Sequence, residues 1–240
     1  MSELIFQNDS YVKSFDCKVI KVDMEENAVV LDRTAFYPGG GGQPCDNGVL
    51  ETAIDKYIVK KVKKKGSDIY HYIDGDLPKV DEICTGKLDW EHRYKLMRTH
   101  TAMHILCGVV WRDYKAQVTG GDMDCLKGRL DFEFENFDKE LVDEIEIKIN
   151  EEVKSARNIS VNILEREEAF KIPDLIRTKI NLLPEGIKEI RTVEIEGLDL
   201  QADGGTHVKN TEEVGKIKIV EYKSKGKINK RIYIELEDLK

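Results

Sequence analysis

Long apolar runs, paired cysteines and an excess of positive charge are all missing from this 240-residue chain, and each absence argues against a class of protein. No apolar stretch approaches the roughly 20 residues needed to span a bilayer. The start MSELIFQNDS lacks a basic region followed by a long apolar one, so a cytoplasmic protein is expected. The five cysteines, Cys17, Cys45, Cys84, Cys107 and Cys125, are odd in number and scattered, with no CxxC pair. This argues against a disulfide framework and a zinc ribbon, and predicts reduced thiols. The net charge of −8 has the wrong sign for a protein whose bulk field attracts nucleic acid, so an RNA partner must meet a local basic surface.

Two stretches offer such a surface. Residues 56–65 read KYIVKKVKKK, and across residues 209–231 eight basic residues outnumber three glutamates. The same lysines also suit solvated hairpin edges guarded against strand pairing. The acidic region 131–152 is expected to face away from any RNA.

Length and a hydrophobic content of 40% suit two modest domains with real cores. Residues 11–23, 28–33, 57–65 and 68–73 alternate or run apolar between turn signals, which predicts hairpins in a small N-terminal β-barrel over residues 1–88. Residues 89–112 carry a helical apolar rhythm in Leu96, Met97, Met103, Ile105, Leu106 and Val109. Strands are then expected at 129–134, 159–164, 187–195, 216–222 and 231–236, with a helix at 139–156 and shorter helical signals through 170–183. Strands interrupted by helices, rather than alternating with them, predict an α+β domain over residues 89–240. With no repeat or flexible linker in the sequence, the junction near Asp89 is expected to be tight.

What the chain does contain is a concentration of histidine. Three of its five histidines fall in two compact motifs, His100 and His104 in TAMHIL and His207 in DGGTH. His100 and His104 are four apart on the expected helix, so both imidazoles project from one face and can grip one ion. Asp203 and His207 flank a Gly-Gly turn whose backbone freedom lets both side chains converge. The constellation predicts a metal site of His100, His104, His207 and Asp203. Cys107, three residues after His104, is within reach of such a site but is expected to pack as a small apolar residue. The residue after the first histidine is Thr101, not the glutamate of an HExxH zinc protease, which disfavours that class. Gly39, Gly40, Gly41 and Gly42, followed by Gln43 and Pro44, lack GxGxxG spacing and a P-loop lysine; they permit close backbone approach or a long tight turn.

Residues 93–106 (RYKLMRTHTAMHIL) and 190–215 (IRTVEIEGLDLQADGGTHVKNTEEVG) resemble the two signature segments of the alanyl-tRNA synthetase editing domain. Residues 34–44 (TAFYPGGGGQP) resemble the glycine-rich segment of the barrel that precedes it. In order and spacing all three are similar to the free-standing alanyl-tRNA editing proteins, AlaX, of medium length. The resemblance spans essentially the whole chain and implies an α+β editing domain with a zinc site. It implies trans-editing: zinc-dependent hydrolysis of the ester in Ser-tRNA(Ala) or Gly-tRNA(Ala), with the tRNA(Ala) acceptor end as partner. Such editing has a physical rationale, because one methyl or hydroxyl is discriminated by a small pocket only about 10- to 200-fold. The resemblance also implies that the glycine-rich segment lies beside the editing site, where Thr34 and Gln43 can touch the aminoacyl group or the tRNA end; with Thr206, they are candidates for reading the serine hydroxyl.

One departure matters, for the family commonly has Cys-Gly-Gly-Thr-His where this chain has Asp203. As a ligand, Asp203 keeps the single negative charge of a thiolate but offers a hard oxygen, giving a His3Asp site without an open tetrahedral position. Zinc then either becomes five-coordinate or anchors the substrate. As an outer acceptor, Asp203 instead orients a ligand or serves as base beside an open three-histidine site. Two alternatives of other classes stay open at this level: an RNA-binding module with structural zinc, and a zinc hydrolase of another small ester.

Overall fold

The computed structural model describes residues 2–176 and 186–238. The chain divides into two compact units, residues 1–95 and 96–240.

The N-terminal unit contains β1 (Glu3–Leu4), β2 (Ser14–Asp23), β3 (Ala28–Leu31), β4 (Arg33–Thr34), β5 (Gly48–Glu51), β6 (Lys56–Lys65), β7 (Asp68–Asp74) and β8 (Ile83–Leu88). β1 pairs in parallel with β4, and the other six close a barrel in the order β2-β3-β7-β6-β5-β8. Alternation decides what points inward: on β2, Phe15, Cys17 and Val19 are buried while Ser14 and Asp16 are exposed. They join Leu31, Phe36, Leu50, Val59, Val62 and Ile69 in one core. Gly86 sits directly opposite Phe15, where a Cβ would stand 2.5 Å from the ring, so glycine seats the aromatic. The segments at 11–23, 28–33, 57–65 and 68–73 correspond to β2, β3, β6 and β7. β5 (GVLE) and β8 (ICTGKL) gave no readable signal, being short and interrupted by glycine and lysine.

The long helix α1 (Trp90–Tyr114) starts where the sequence indicates, with the Asp89 carboxylate accepting from the His92 amide at 3.2 Å. Its first turn nevertheless belongs to the N-terminal unit. Arg93, fully buried, donates to the Asp46 carboxylate and to the carbonyls of Ser10 (2.9 Å) and Ala35 (2.6 Å). The cut between the compact units accordingly falls at 95/96.

In the second unit, residues 96–110 of α1 are buried on every side, which makes this a central helix rather than an amphipathic surface one. Its polar side chains have partners: Arg98 donates to the carbonyls of Val214 and Glu237, and the Thr99 hydroxyl accepts from the Leu126 amide. The helix ends at Lys115, a left-handed residue (φ 55°).

Around it lie β9 (Val118–Asp124), β10 (Lys127–Glu133), α2 (Lys139–Lys154), β11 (Ile159–Glu165), the single turn α3 (Arg166–Ala169), β12 (Glu189–Ile195), β13 (Asp199–Ala202), β14 (Ile217–Ser224) and β15 (Asn229–Leu236). They form a four-stranded sheet, β14-β15-β10-β9, and a three-stranded sheet, β11-β12-β13. This is a mixed α and β architecture with few helices. β9 (VTGGDMD) reads poorly as a strand because of its glycines and aspartates. Gly121 and its neighbour-strand Gly128 leave room for Met103 of α1, since a Cβ on Gly128 would lie 2.9 Å from the sulfur.

α2 is capped by Asp138 and buries a stripe of Val142, Ile145, Ile149 and Val153. From its flank, Asn150 exchanges hydrogen bonds with the backbone of Ile217, and Glu146 accepts from the Ile219 amide at 2.7 Å, covering the first part of the outer edge of β14. Of the helical signals at 170–183, residues 177–183 lie outside the described residues. No described helix is long and apolar enough to cross a membrane.

Candidate metal centre

His100 and His104 leave α1 from one face, and the turn after β13 carries Asp203 and His207 to the same place. Each residue offers a ligand atom, and these atoms all lie within 4.8 Å of one another. The ring centroids of His100 and His207 are 4.3 Å apart, and those of His104 and His207 4.7 Å. Asp203 Oδ2 accepts from His207 Nε2 (2.9 Å) and from the Gly205 amide (2.9 Å), while Oδ1 lies 3.7 Å from His100 Nε2. The Gly204-Gly205 turn thus folds the carboxylate back over its own loop.

Burial and the neighbouring groups together set the charge states. It pushes the His100 imidazole down to about 4, with Asp203 opposing. Burial and the charge of His100 hold His207 well below the usual histidine range. Burial raises Asp203, yet His100 and the hydrogen bond from His207 outweigh it and hold the carboxyl well below its ordinary value. Burial likewise lowers His104, but the hydrogen bond and charge of Asp199 prevail and raise it. Imidazole nitrogens beside an ionised carboxylate are the donor types a divalent cation of intermediate softness takes, and the proton that His207 Nε2 gives to Asp203 would have to leave that nitrogen for it to bind a metal. The chemistry of the four residues fits such an ion.

A ring of outer residues had no sequence signal of its own. Asp199 Oδ2 lies 3.0 Å from His104 Nδ1 and accepts from Gln201 Nε2 at 2.7 Å. Thr101 Oγ1 lies 3.1 Å from His207 Nδ1 and accepts from the Val208 amide at 3.3 Å. Thr101, at the position that the general base holds in an HExxH helix, thus supports a histidine instead. Arg191 donates to the Asp203 carbonyl at 2.8 Å, with the same nitrogen 3.9 Å from the carboxylate. Cys107 lies outside the four-residue group and accepts from Gln201 at 3.4 Å.

Residues 190–233 match the threonyl and alanyl tRNA synthetase second additional domain, and residues 10–92 match class II (A) tRNA synthetases. The chain is 39% identical to the alanyl-tRNA editing protein AlaX-M of Methanosarcina barkeri, over 99% of this chain and 100% of that one. It is 41% identical to the AlaX-M protein of Saccharolobus solfataricus over 97% and 98% of the two chains. The chain belongs to the AlaX-M family of alanyl-tRNA editing proteins. It is also 39% identical to the alanine-tRNA ligase of Ignicoccus hospitalis over 90% of this chain, though only 24% of that enzyme.

In this AlaX-M chain the glycine-rich segment has a conformational reason for its composition. Gly39, Gly40, Gly41 and Gly42 all have positive φ (80°, 140°, 58° and 91°), a run that side chains with a Cβ resist. Gly40 and Gln43 close the loop with paired backbone hydrogen bonds of 3.0 and 2.9 Å. Asp46 accepts from the Tyr37 amide at 2.5 Å and anchors the segment to Arg93. Gln43 is buried. Thr34 is also buried, its Oγ1 accepting from the Phe36 amide (3.1 Å) and lying 2.8 Å from His71 Nε2. His71 Nδ1 faces the Val29 carbonyl, which only accepts, so Nδ1 carries the proton and the Thr34 hydroxyl donates to Nε2. Thr206 is buried beside His207, and its backbone hydrogen-bonds His100.

Proposed function

We propose that this protein is a trans-editing aminoacyl-tRNA deacylase that removes serine or glycine from mischarged tRNA(Ala), and that Zn2+ is held by His100, His104, Asp203 and His207. The observation that carries the reading is the convergence of those four residues, drawn from both signature segments, in a chain similar end to end to alanyl-tRNA editing proteins. Water adds to the ester carbonyl, the terminal ribose oxygen leaves with a proton, and the products are free amino acid and intact tRNA. When bound, zinc supplies a fixed positive charge that anchors or polarises the substrate. Asp203 brings one negative charge to the site, and burial keeps the His100 and His207 rings neutral, so neither adds a positive charge that would oppose a metal. Thr101 and Asp199 hold ring orientations from outside.

Selectivity is the harder task, because alanine differs from serine by one hydroxyl. Thr206, next to a ligand histidine, is the first candidate to read that hydroxyl. Thr34 and Gln43 belong to the N-terminal contribution, Thr34 by fixing the start of the glycine-rich segment through Phe36 and Gln43 by closing its loop. Basic stretches at 56–65 and 209–231 are the candidate tRNA contacts in an otherwise acidic protein.

Time-resolved deacylation of Ser-tRNA(Ala) and Gly-tRNA(Ala) beside Ala-tRNA(Ala), with His207→Ala as control, tests the reading. Loss of serine or glycine, spared alanine and an inactive control are expected. Absence of hydrolysis by folded, zinc-loaded protein would overturn it in favour of a binding module with structural zinc. Cleavage of small esters without tRNA would favour a general zinc hydrolase.

A further inference from the structure

We propose that Asp199, seated by Gln201 and admitted by Gly108, is a positioning residue that commits His104 to metal binding. The inference rests on the reading that His100, His104, Asp203 and His207 hold a divalent ion.

Three observations carry it. The Asp199 side chain is buried, and its Oδ2 lies 3.0 Å from His104 Nδ1. A carboxylate only accepts, so Nδ1 keeps its proton, and in the neutral ring the lone pair resides on Nε2, the nitrogen left for a metal. The same oxygen accepts from Gln201 Nε2 at 2.7 Å, and Gln201 stands two residues along β13, on the same face of the strand. Asp199 therefore cannot rotate toward the cluster without losing both partners.

The third observation concerns how the strand reaches the helix. Gly108 is one turn beyond His104 in the buried part of α1, where glycine is a poor helix former. A Cβ there would lie 2.9 Å from Leu198 Cγ, 3.0 Å from Asp199 Cβ and 3.2 Å from the Leu198 carbonyl oxygen. The missing side chain is the space through which the β12–β13 turn approaches α1 and brings Asp199 within hydrogen-bond reach. An arrangement in which a carboxylate holds the non-ligating nitrogen of a metal-binding histidine orients the ring and makes it a stronger donor. The sequence separation between His104 and Asp199 concealed the pairing.

The test measures zinc affinity of the full-length protein by competition with a chromophoric chelator, together with the visible spectrum of the cobalt form. Wild type is compared with Asp199→Ala, Asp199→Asn and Gly108→Ala, each checked for folding by circular dichroism. Asp199→Ala is expected to weaken zinc about 10- to 100-fold and to shift the cobalt bands. Asp199→Asn, which keeps an acceptor but loses the charge, should fall between. Gly108→Ala should weaken zinc although alanine favours the helix, a result that loss of helix stability would not produce. Wild-type affinity in a folded Asp199→Ala would overturn the proposal. If that variant does not fold, wild-type affinity in both Asp199→Asn and Gly108→Ala would do the same. Failure of wild type to bind zinc or cobalt would instead remove the metal reading, and this inference with it.

Discussion

Asp203 carries a choice that cysteine would have made differently. Its oxygen meets two hydrogen-bond donors, His207 and the Gly205 amide, and the imidazoles around it keep it ionised. Asp203→Ala is expected to abolish stoichiometric zinc binding, whereas Asp203→Cys should retain it and gain relative affinity for cadmium, because a thiolate is the softer donor. Competition titration of the two ions checks both outcomes, and full zinc affinity in Asp203→Ala would exclude a ligand role. The convergence of His100, His104, Asp203 and His207 was legible from spacing alone. Asp199 and Gln201 were not, because nothing local in GLDLQA says which helix the strand will face. The Arg93 and Asp46 pair was equally silent, since a charged residue on a helix ordinarily reads as exposed. Removing one partner leaves the other charge buried, so Asp46→Ala should destabilise the N-terminal unit by about 3–5 kcal/mol in denaturant unfolding.

At the scale of elements, the barrel encloses an imidazole that must remain neutral. Burial pushes His71 down from 6.5 to about 4, with backbone hydrogen bonds at Val29 and Ile69 opposing. An unfolded histidine takes up a proton near 6.5, whereas the folded one resists until about 4. The unfolded state therefore binds more protons across this window. The stability His71 contributes is complete above pH 6.5 and is lost as pH falls toward 4, by roughly 3 kcal/mol in all. Denaturant midpoints at pH 7 and pH 4.5 should show that loss, and His71→Gln should flatten it. The expected α2 needed little correction, its buried residues recurring at helical spacing and Asp138 marking its start. The missed strands β5, β8, β9 and β13 share a cause: short or glycine-bearing segments owe their pairing to neighbours already in place rather than to their own composition. The four left-handed glycines looked like a turn or an approach surface in the sequence, and their dihedrals supply the reason for glycine.

For the molecule as a whole, a net charge of −8 means that binding to tRNA must depend on where lysines stand rather than on how many there are. Affinity for tRNA should fall as salt rises, and replacing Lys225 and Lys227 in the β14–β15 hairpin by glutamate should weaken binding and reduce the salt slope if they meet phosphates. Filter binding across a salt series measures both. Metal should also stabilise the fold that holds it. At a free zinc concentration 100 times its Kd, the zinc-loaded protein should gain about 2.7 kcal/mol over chelator-treated protein in denaturant unfolding.

The hydrogen bonds from Asn150 and Glu146 to β14 bear on how copies of this chain behave in a crowded solution. An uncovered strand margin is a template on which another molecule can lay its own backbone. On the β14 side the outward amides of Ile217 and Ile219 are already taken by a helix, and on the far side β9 carries Asp122, 3.7 Å from Arg129, and the exposed Asp124. Two stretches of the sheet's margins are thereby less open to another copy's backbone than bare strand would be, residues 217–219 through helix α2 and the end of β9 through an exposed carboxylate.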